Sequence, residues 1–266
     1  MSVRVIVAGA AGKMGKMIVQ ACAKDPEVKV VGGIEQAGNP AVGKDAGETA
    51  GIGNLNAPIS DDLAKIVNNC DVVIDFTFPA VTLANLEICR KNGKRMVIGT
   101  TGLKPEEVET VKKAGLSTAV VQSPNMSVGV NLLFKVIADV TKVLSDFDIE
   151  IVEAHHNQKK DAPSGTAEKL AQVIAEAREK SLDEIGIYGR KGIVGARKKG
   201  ELGIHAVRGG DIVGDHTVLF AGEGERIEVK HQAHSRMTFA SGAVRAARFV
   251  AGKDKGFFSM KEVLGL

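Results

Sequence analysis

The sequence predicts an α/β protein in which an N-terminal doubly wound parallel sheet is followed by a second α+β domain with a mixed or antiparallel sheet. Three observations carry this fold class. Apolar, β-branched runs alternate with helical runs as far as Met126, which is typical of βα units. In the later part of the chain, from Ile204 to His231, strand-like runs follow one another with little helix between them. The length of 266 residues also suits two domains.

Composition and charge exclude several classes of protein. The 35 basic and 32 acidic residues nearly cancel, and no Lys/Arg stripe interleaves with aromatics, so we expect no nucleic-acid partner. No apolar run approaches the ~20 residues that cross a bilayer. The start at Met1–Arg4 leads directly into a strand and leaves no room for a signal peptide. Cys22, Cys70 and Cys89 lack C-x-x-C spacing, which indicates reduced thiols and a cytoplasmic protein.

The first element is a buried strand at Val3–Ala8, followed by a glycine-rich turn and a helix. The turn, Gly9–Gly15, has G-x-x-G-x-x-G spacing, and the helix continues over Lys16–Ala23. Glycine permits a tight turn and close approach of a pyrophosphate, which the helix N-terminus then binds. The order of elements favours a Rossmann-type dinucleotide site over a purely structural glycine turn.

A second strand, Val28–Ile34, ends at Glu35, where such folds place the carboxylate that binds the adenine ribose. The next residue, Gln36, is a neutral amide, whereas an arginine at this point commonly accommodates the 2′-phosphate of NADP. Lys13 and Lys16 either supply positive charge instead or are solvated helix lysines. We therefore expect NADH to be favoured and leave NADPH open.

The remaining elements of the first domain repeat the βα pattern. They are a loop over residues 36–56, a short helix capped by Ser60–Asp62, strands at Asp71–Phe76, Lys94–Ile98 and Ser117–Gln122, and helices at Ala80–Lys91 and Glu106–Ala114. Parallel strands end at one edge of their sheet, and ligands bind outside those ends. The loops F-T-F-P, G-T-T-G and S-P-N-M are therefore predicted to line one crevice with the glycine turn.

The second domain is predicted to occupy residues 127–236, and residues 237–266 are assigned with 1–126 to the dinucleotide-binding domain. Its expected elements are a helix over Val128–Leu144, a strand at Asp148–Ala154, a helix over Ala167–Lys180, a loop at Gly186–Gly203, and strands at Ile204–Arg208, Ile212–Ala221 and Glu225–His231. A final helix covers Met237–Val250.

A dense polar segment, E-A-H-H-N-Q-K-K-D-A-P-S-G-T, lies between the first strand and the second helix of this domain. His155 and His156 are adjacent, so their side chains point to opposite faces, which disfavours a zinc pair, and we expect no metal. His155 and Lys159 are candidates for acid–base work. Glu153 either orients the His155 imidazole or is solvated.

The end of the polar segment is typical of a helix start. In one interpretation Ser164 or Thr166 simply caps the helix. In the other, these residues and Gly165 expose backbone amide groups that bind a carboxylate. Arg236 is a further candidate anion partner. The resulting cationic pocket suits a small dicarboxylate, which Lys or His protonates as a hydride arrives.

At this level of detail the chain resembles the dihydrodipicolinate (4-hydroxy-tetrahydrodipicolinate) reductases of bacterial lysine biosynthesis over nearly its full length. The resemblance rests on V-A-G-A-A-G-K-M-G, D-F-T-F-P, G-T-T-G, P-N-M-S-V-G-V-N, E-A-H-H-N-Q-K-K-D-A-P-S-G-T-A and R-M-T-F-A-S-G-A-V-R. It implies NAD(P)H-dependent reduction of 4-hydroxy-tetrahydrodipicolinate, a cyclic dicarboxylate, in the diaminopimelate route. It also implies a cytoplasmic homotetramer that is assembled through the second domain's sheet.

The resemblance assigns roles to individual residues. The cofactor would be bound by Gly9, Ala10, Ala11, Gly12, Lys13, Met14, Glu35, Gly99, Thr100, Thr101, Ser123, Pro124, Asn125 and Met126. His155 and Lys159 would form the acid–base pair, with Lys159 the stronger candidate for the proton donor. The substrate carboxylates would be held by His156, Ser164, Gly165 and Thr166. Gln36 departs from relatives that bind NADPH well and can carry arginine there.

Two other functions share part of this sequence pattern. A different two-domain reductase, acting on an amino acid or a sugar, shares the glycine turn and Glu35 but has no need of the H-H-x-x-K and P-S-G-T motifs. A nucleotide-sensing regulator would bind NAD(H) without turnover and would need a DNA-binding or partner module, which the sequence does not show.

Overall fold

The computed structural model describes residues 2–266. In chain order its strands are β1 (Val3–Ala8), β2 (Val28–Ile34), β3 (Ile59–Ser60), β4 (Val72–Asp75), β5 (Arg95–Ile98), β6 (Ala119–Gln122), β7 (Asp148–His155), β8 (Gly186–Tyr188), β9 (Leu202–Arg208), β10 (Gly214–Ala221), β11 (Arg226–Ala233) and β12 (Gly256–Phe258). Its α-helices are α1 (Lys13–Lys24), α2 (Ala46–Thr49), α3 (Leu63–Ile66), α4 (Pro79–Lys91), α5 (Pro105–Ala114), α6 (Val128–Val143), α7 (Gly165–Ala177), α8 (Leu182–Ile185), α9 (Met237–Ala251) and α10 (Met260–Leu264).

The chain divides into two units. The first comprises the residues up to Val128 together with Arg236–Leu266, and the second comprises Gly129–Ser235. These limits lie close to the expected domain boundaries, but they put Arg236 in the first unit. Arg236 is the N-cap of α9, and α9 packs on the sheet of the first unit.

The first unit is built on a parallel sheet with the strand order β3-β2-β1-β4-β5-β6-β12 within the described residues. Successive residues of β1 point to opposite faces of the sheet. Val5 and Val7 join α1 and α9 in one core, whereas Ile6 packs with α3, α4 and α5 in the other. Because both faces are covered, the strands are continuous apolar runs. This arrangement confirms the predicted doubly wound parallel sheet.

The second unit contains a mixed sheet with the order β11-β10-β7-β9-β8 within the described residues. Strand β7 pairs antiparallel with β10 and parallel with β9. One face of this sheet is apolar because Ile149, Ile151 and Phe220 pack against Leu170 and Ile174 of α7. The predicted mixed α+β domain is confirmed.

Several short elements were not predicted from the sequence. The expected loop over residues 36–56 contains α2, and the expected loop at Gly186–Gly203 begins with β8. Strand β12 extends the parallel sheet beyond β6. Each of these elements has three or four residues, too few for a hydrophobic period to develop.

Two further findings concern the chain as a whole. In the part of the chain that the structure describes, no helix has the length and apolar character needed to cross a membrane. Cys22, Cys70 and Cys89 are free and buried in the first unit. Burial raises the thiol pKa of Cys22 to about 12 and that of Cys70 to about 11.

Candidate active site

The turn between β1 and α1 has the geometry of an anion-binding site. Gly9 has a φ of +67°, and a Cβ on Gly15 would lie 1.9 Å from the carbonyl oxygen of Gly9. Glycine is therefore required for the helix to approach the turn this closely. Gly12 is the N-cap of α1 and gives its first amides no side-chain partner. These amides and the positive end of the helix macrodipole fit a pyrophosphate.

Glu35 lies beside this turn at the end of β2. Its carboxylate accepts hydrogen bonds from the Ala11 amide at 2.7 Å and from Asn39 Nδ2 at 3.1 Å. A carboxylate in this place fits the hydroxyls of an adenine ribose. The adjoining cleft of about 370 Å³ is lined by Ala11, Lys16, Asn39, Pro40, Ala41, Lys44, Glu48 and Thr49. Lys44 brings positive charge that the sequence reasoning missed.

A second cleft of the first unit, of about 320 Å³, lies at the carboxyl ends of the parallel strands. It is lined by Met14, Phe76, Thr77, Gly99, Thr100, Thr101, Pro124, Asn125, Met126, Arg236 and Phe239. The structure thus brings the loops after β4, β5 and β6 together with the glycine turn. Arg236, which the sequence placed with the substrate residues, lies in this cleft. Ser123 donates to the carbonyl oxygen of Asn125 at 2.7 Å and so shapes its own loop.

A buried carboxylate that the sequence reasoning missed connects two of these loops. Asp75 is 0% exposed, and it accepts hydrogen bonds from the hydroxyls of Thr77, Thr82 and Thr100 at 2.6, 3.0 and 3.2 Å. Asn85 of α4 donates to its other oxygen at 2.8 Å. Asp75 therefore holds the loops after β4 and β5 in a fixed relation. An acidic residue ending an otherwise apolar strand was the available signal.

In the second unit the polar segment is organised around another buried carboxylate, that of Glu153. Its side chain is 0% exposed and binds His155 Nδ1 at 2.6 Å, the Arg208 guanidinium at 2.7 and 2.8 Å, and the Ser164 amide at 3.0 Å. Burial by itself raises the pKa of Glu153, but the hydrogen bonds from Arg208 and His155 outweigh it, and the net pKa is lowered. Of the two interpretations of Glu153, the structure shows the orienting one.

His155 and Lys159 differ in their surroundings. Burial lowers the pKa of His155 although its hydrogen bond to the Glu153 carboxylate opposes this shift, and the charges of Lys159 and Arg208 lower the pKa further. The imidazole is therefore neutral near pH 7. Lys159 Nζ binds both carboxylate oxygens of Asp161 at 2.9 and 2.8 Å, and its side chain is 19% exposed. Lys159 thus carries the positive charge beside a neutral imidazole.

The predicted carboxylate-binding turn forms the start of α7. Ser164 is its N-cap, and Ser164 Oγ accepts from the Ala167 amide at 3.2 Å and contacts His216 Nε2 at 2.9 Å. Ser164 is 3% exposed, so its hydroxyl is used inside the fold, and a ligand would approach the helix start at Gly165. A Cβ on Gly165 would meet no atom within 4 Å, which leaves that approach open.

His156 follows the end of β7 and is partly exposed. Within residues 2–266 no three His, Cys, Asp or Glu side chains come together in a group that could hold a metal ion. The glycine turn, the carboxylate of Glu35 and the cleft at the strand ends fit NADH or NADPH. Fold and site together define a two-unit oxidoreductase that uses a nicotinamide dinucleotide.

Comparison with known proteins gives the family. The family model described as "Dihydrodipicolinate reductase, N-terminus" matches residues 3–126, and that described as "Dihydrodipicolinate reductase, C-terminus" matches residues 129–264. The chain belongs to the dihydrodipicolinate reductase family and is an NAD(P)H-dependent oxidoreductase. The resemblance predicted from the sequence is confirmed.

Individual relatives match over the whole chain. The 4-hydroxy-tetrahydrodipicolinate reductase of Geotalea uraniireducens is 51% identical over 265 residues, which cover 99% of each chain. That of Methylococcus capsulatus is 49% identical and covers 100% of this chain and 99% of its own.

Solved structures agree with this membership. The dipicolinate-bound dihydrodipicolinate reductase from Paenisporosarcina sp. TG-14 is 26% identical, has a TM-score of 0.79, and covers 98% of this chain and 99% of its own. An amine dehydrogenase from Mycobacterium smegmatis, 14% identical with a TM-score of 0.62, covers 98% of this chain and 95% of its own. The second likeness concerns the fold alone.

Proposed function

We propose that this protein reduces 4-hydroxy-tetrahydrodipicolinate to tetrahydrodipicolinate with NADH or NADPH, in the diaminopimelate route of lysine biosynthesis. The observation that carries the proposal is the polar segment of the second unit. It combines a charged Lys159, a neutral and oriented His155, and the amide end of α7. Full-length relatives with about half of their residues identical carry the name of this reaction.

In this reaction the 4-hydroxyl group leaves as water with a proton from a neighbouring ring carbon, and the resulting unsaturated ring gains one hydride and one proton. The bound dinucleotide supplies the hydride from C4 of its nicotinamide. Lys159 donates the proton, because it is the charged member of the acid–base pair, while the neutral His155 accepts a hydrogen bond. Since Lys159 is partly exposed and paired with an exposed Asp161, solvent can return its proton.

The substrate carboxylates are assigned to the start of α7. Helix-start amides lack intrahelical partners and lie at the positive end of the helix. Gly165 and Thr166 contribute backbone groups there, Ser164 fixes the helix start, and His156 contributes its imidazole. Arg236 remains an anion-binding candidate, and its place in the first unit's cleft associates it with the cofactor side.

For the cofactor we propose that NADH is preferred and NADPH is accepted less well. Gln36 offers a neutral amide where arginine would bind a 2′-phosphate, and Glu35 favours free ribose hydroxyls. Lys13, Lys16 and Lys44 are the positive groups near the glycine turn and its adjoining cleft, and they support residual NADPH use.

Domain roles, assembly and location complete the proposal. Residues 1–126 with 237–266 bind the dinucleotide, and residues 127–236 bind the substrate and assemble the oligomer. A cytoplasmic homotetramer rests on the family resemblance. The three buried thiols are consistent with a reducing compartment.

The direct test is oxidation of NADH by the purified protein with the substrate generated in situ. We expect substrate-dependent loss of NADH absorbance, and weaker turnover with NADPH. Tight NADH binding without oxidation would instead identify a nucleotide sensor. Turnover with an amino acid or a sugar, and none with the dicarboxylate, would identify a different reductase.

A further inference from the structure

Each oxygen of the Glu153 carboxylate takes part in two hydrogen bonds. Oε2 binds His155 Nδ1 and Arg208 Nη1, while Oε1 binds Arg208 Nη2 and the Ser164 amide. The two bonds to Arg208 form a fork, which is the geometry that arginine makes best with a carboxylate. The fork joins β7 to β9, two neighbouring strands of the second unit's sheet.

This arrangement determines which nitrogen of His155 carries the proton. An ionised carboxylate accepts hydrogen bonds and has no proton to donate. Nδ1 of His155 is therefore protonated, and Nε2 of the neutral ring keeps its lone pair. Nε2 lies towards Gly214, where a Cβ would come within 3.0 Å of it, so a side chain at this position would crowd that nitrogen.

The charges around the imidazole come from four elements. Glu153 on β7 is negative, whereas Arg208 on β9 and Lys159 in the segment that follows β7 are positive. The neutral His216 on β10 packs edge-on at 5.2 Å between ring centroids. A buried carboxylate alone would favour a protonated imidazole. Here Arg208 compensates the carboxylate, and Lys159 repels a second positive charge, which agrees with the lowered pKa of His155.

We propose that Glu153 and Arg208 act as one positioning pair for the proton transfer: Glu153 fixes the Nδ1–H form of His155, and Arg208 keeps the ring neutral by neutralising that carboxylate. Nε2 is thereby kept as a hydrogen-bond acceptor. The pair rests on the proposed function, since it serves the acid–base step. Neither residue touches the reacting atoms in this scheme.

The chain contains a matched control for the arginine. Arg190 forms a fork with Glu150 at 2.9 and 2.9 Å, and His205 Nε2 binds the same carboxylate at 2.7 Å. Glu150 also lies on β7. The Glu150 group therefore has related carboxylate–arginine–histidine chemistry outside the proposed proton-transfer residues, with a second arginine, Arg197, whose Nε donates to Oε1 at 3.0 Å.

The experiment compares Arg208→Gln, Arg208→Lys and Arg190→Gln with the unaltered protein in pH profiles of kcat/KM. With Arg208→Gln, the uncompensated carboxylate should move the acidic midpoint of the profile upward by about 1 pH unit or more, the scale of a nearby opposite charge. Arg208→Lys keeps the charge and should retain the original midpoint, and Arg190→Gln should leave it unchanged. An equal midpoint in Arg208→Gln and the unaltered protein would overturn the proposal.

A second variant tests the tautomer. In Glu153→Gln the side-chain amide can donate to Nδ1, which then places the ring proton on Nε2. By analogy with the wrong-tautomer effect in catalytic triads, kcat should fall by about 10²–10⁴, with NADH affinity unchanged. Near-normal kcat would overturn the assignment of Glu153. Absence of turnover in the unaltered protein would refute the proposed function instead, so the two failures are distinguishable.

Discussion

Replacing His216 by Gln should remove a pH dependence from the stability of the second unit. His216 is 3% exposed, and burial together with the neighbouring His155 lowers its pKa to about 4. An unfolded histidine has a pKa of about 6.5. Between these two values the unfolded chain binds a proton that the folded chain does not. The free energy of unfolding therefore falls as pH decreases through this range.

The size of the effect follows from the two pKa values. Their difference of about 2.5 units corresponds to about 3.4 kcal/mol when complete, since one unit is worth 1.36 kcal/mol. Between about pH 7.5 and pH 5 the loss amounts to about 2 kcal/mol. Glutamine does not titrate, and its amide lies near the position of Nε2, so it can keep a hydrogen bond to Ser164 Oγ.

The assay is urea denaturation of both proteins at the two pH values and at one fixed protein concentration. The sequence contains one tyrosine, Tyr188, and no tryptophan, and Tyr188 lies in β8 of the sheet that contains His216. Its fluorescence therefore reports the unfolding of the second unit. We expect the unaltered protein to lose about 2 kcal/mol more than His216→Gln on acidification. Equal losses would refute a neutral, buried His216.

Three further outcomes are expected. Lys159→Ala should lower kcat by about 10²–10⁴-fold with little change in NADH affinity. Lys160→Ala, at the exposed neighbouring residue, should keep nearly normal kcat. Near-normal kcat in Lys159→Ala would exclude Lys159 as the proton donor. Gln36→Arg should improve kcat/KM for NADPH relative to NADH by about tenfold or more through a charge-assisted bond to the 2′-phosphate, and an unchanged ratio would assign the preference to the lysines. Asp75→Asn should weaken NADH binding, measured by titration, by about tenfold, because an amide cannot accept all of the threonine hydrogen bonds; unaltered affinity would confine Asp75 to a structural role.

The features that sequence reasoning predicted best are those with a local signal. The βα alternation, the glycine turn and the polar segment between β7 and α7 each occupy a short run of chain, and the strand and helix cores were found within a few residues. The crevice of three loops followed from a topological rule about the ends of parallel strands. Residues as distant in the chain as Met14 and Gly99 therefore line one cleft, as that rule predicts.

The features that escaped prediction depend on partners distant in the chain. Glu153 had two interpretations because its partner Arg208 lies 55 residues further on. His216 contacts Ser164 from 52 residues away, so neither its burial nor its neutrality could be anticipated. Asp75 and Thr100 meet across neighbouring strands. A single sequence records spacing along the chain, and it carries no direct measure of pairing across a sheet.

Cysteine and tyrosine are distributed so that the unfolding of each unit can be followed separately without added labels in the sequence. The three cysteines all lie in the first unit, where burial suppresses their reactive thiolate form, while the single tyrosine lies in the second. Timed alkylation would therefore record the opening of the dinucleotide-binding half, and tyrosine emission that of the other half. A ligand that binds one half should slow either the alkylation of the cysteines or the change in tyrosine emission, and the signal that slows identifies the half that binds it.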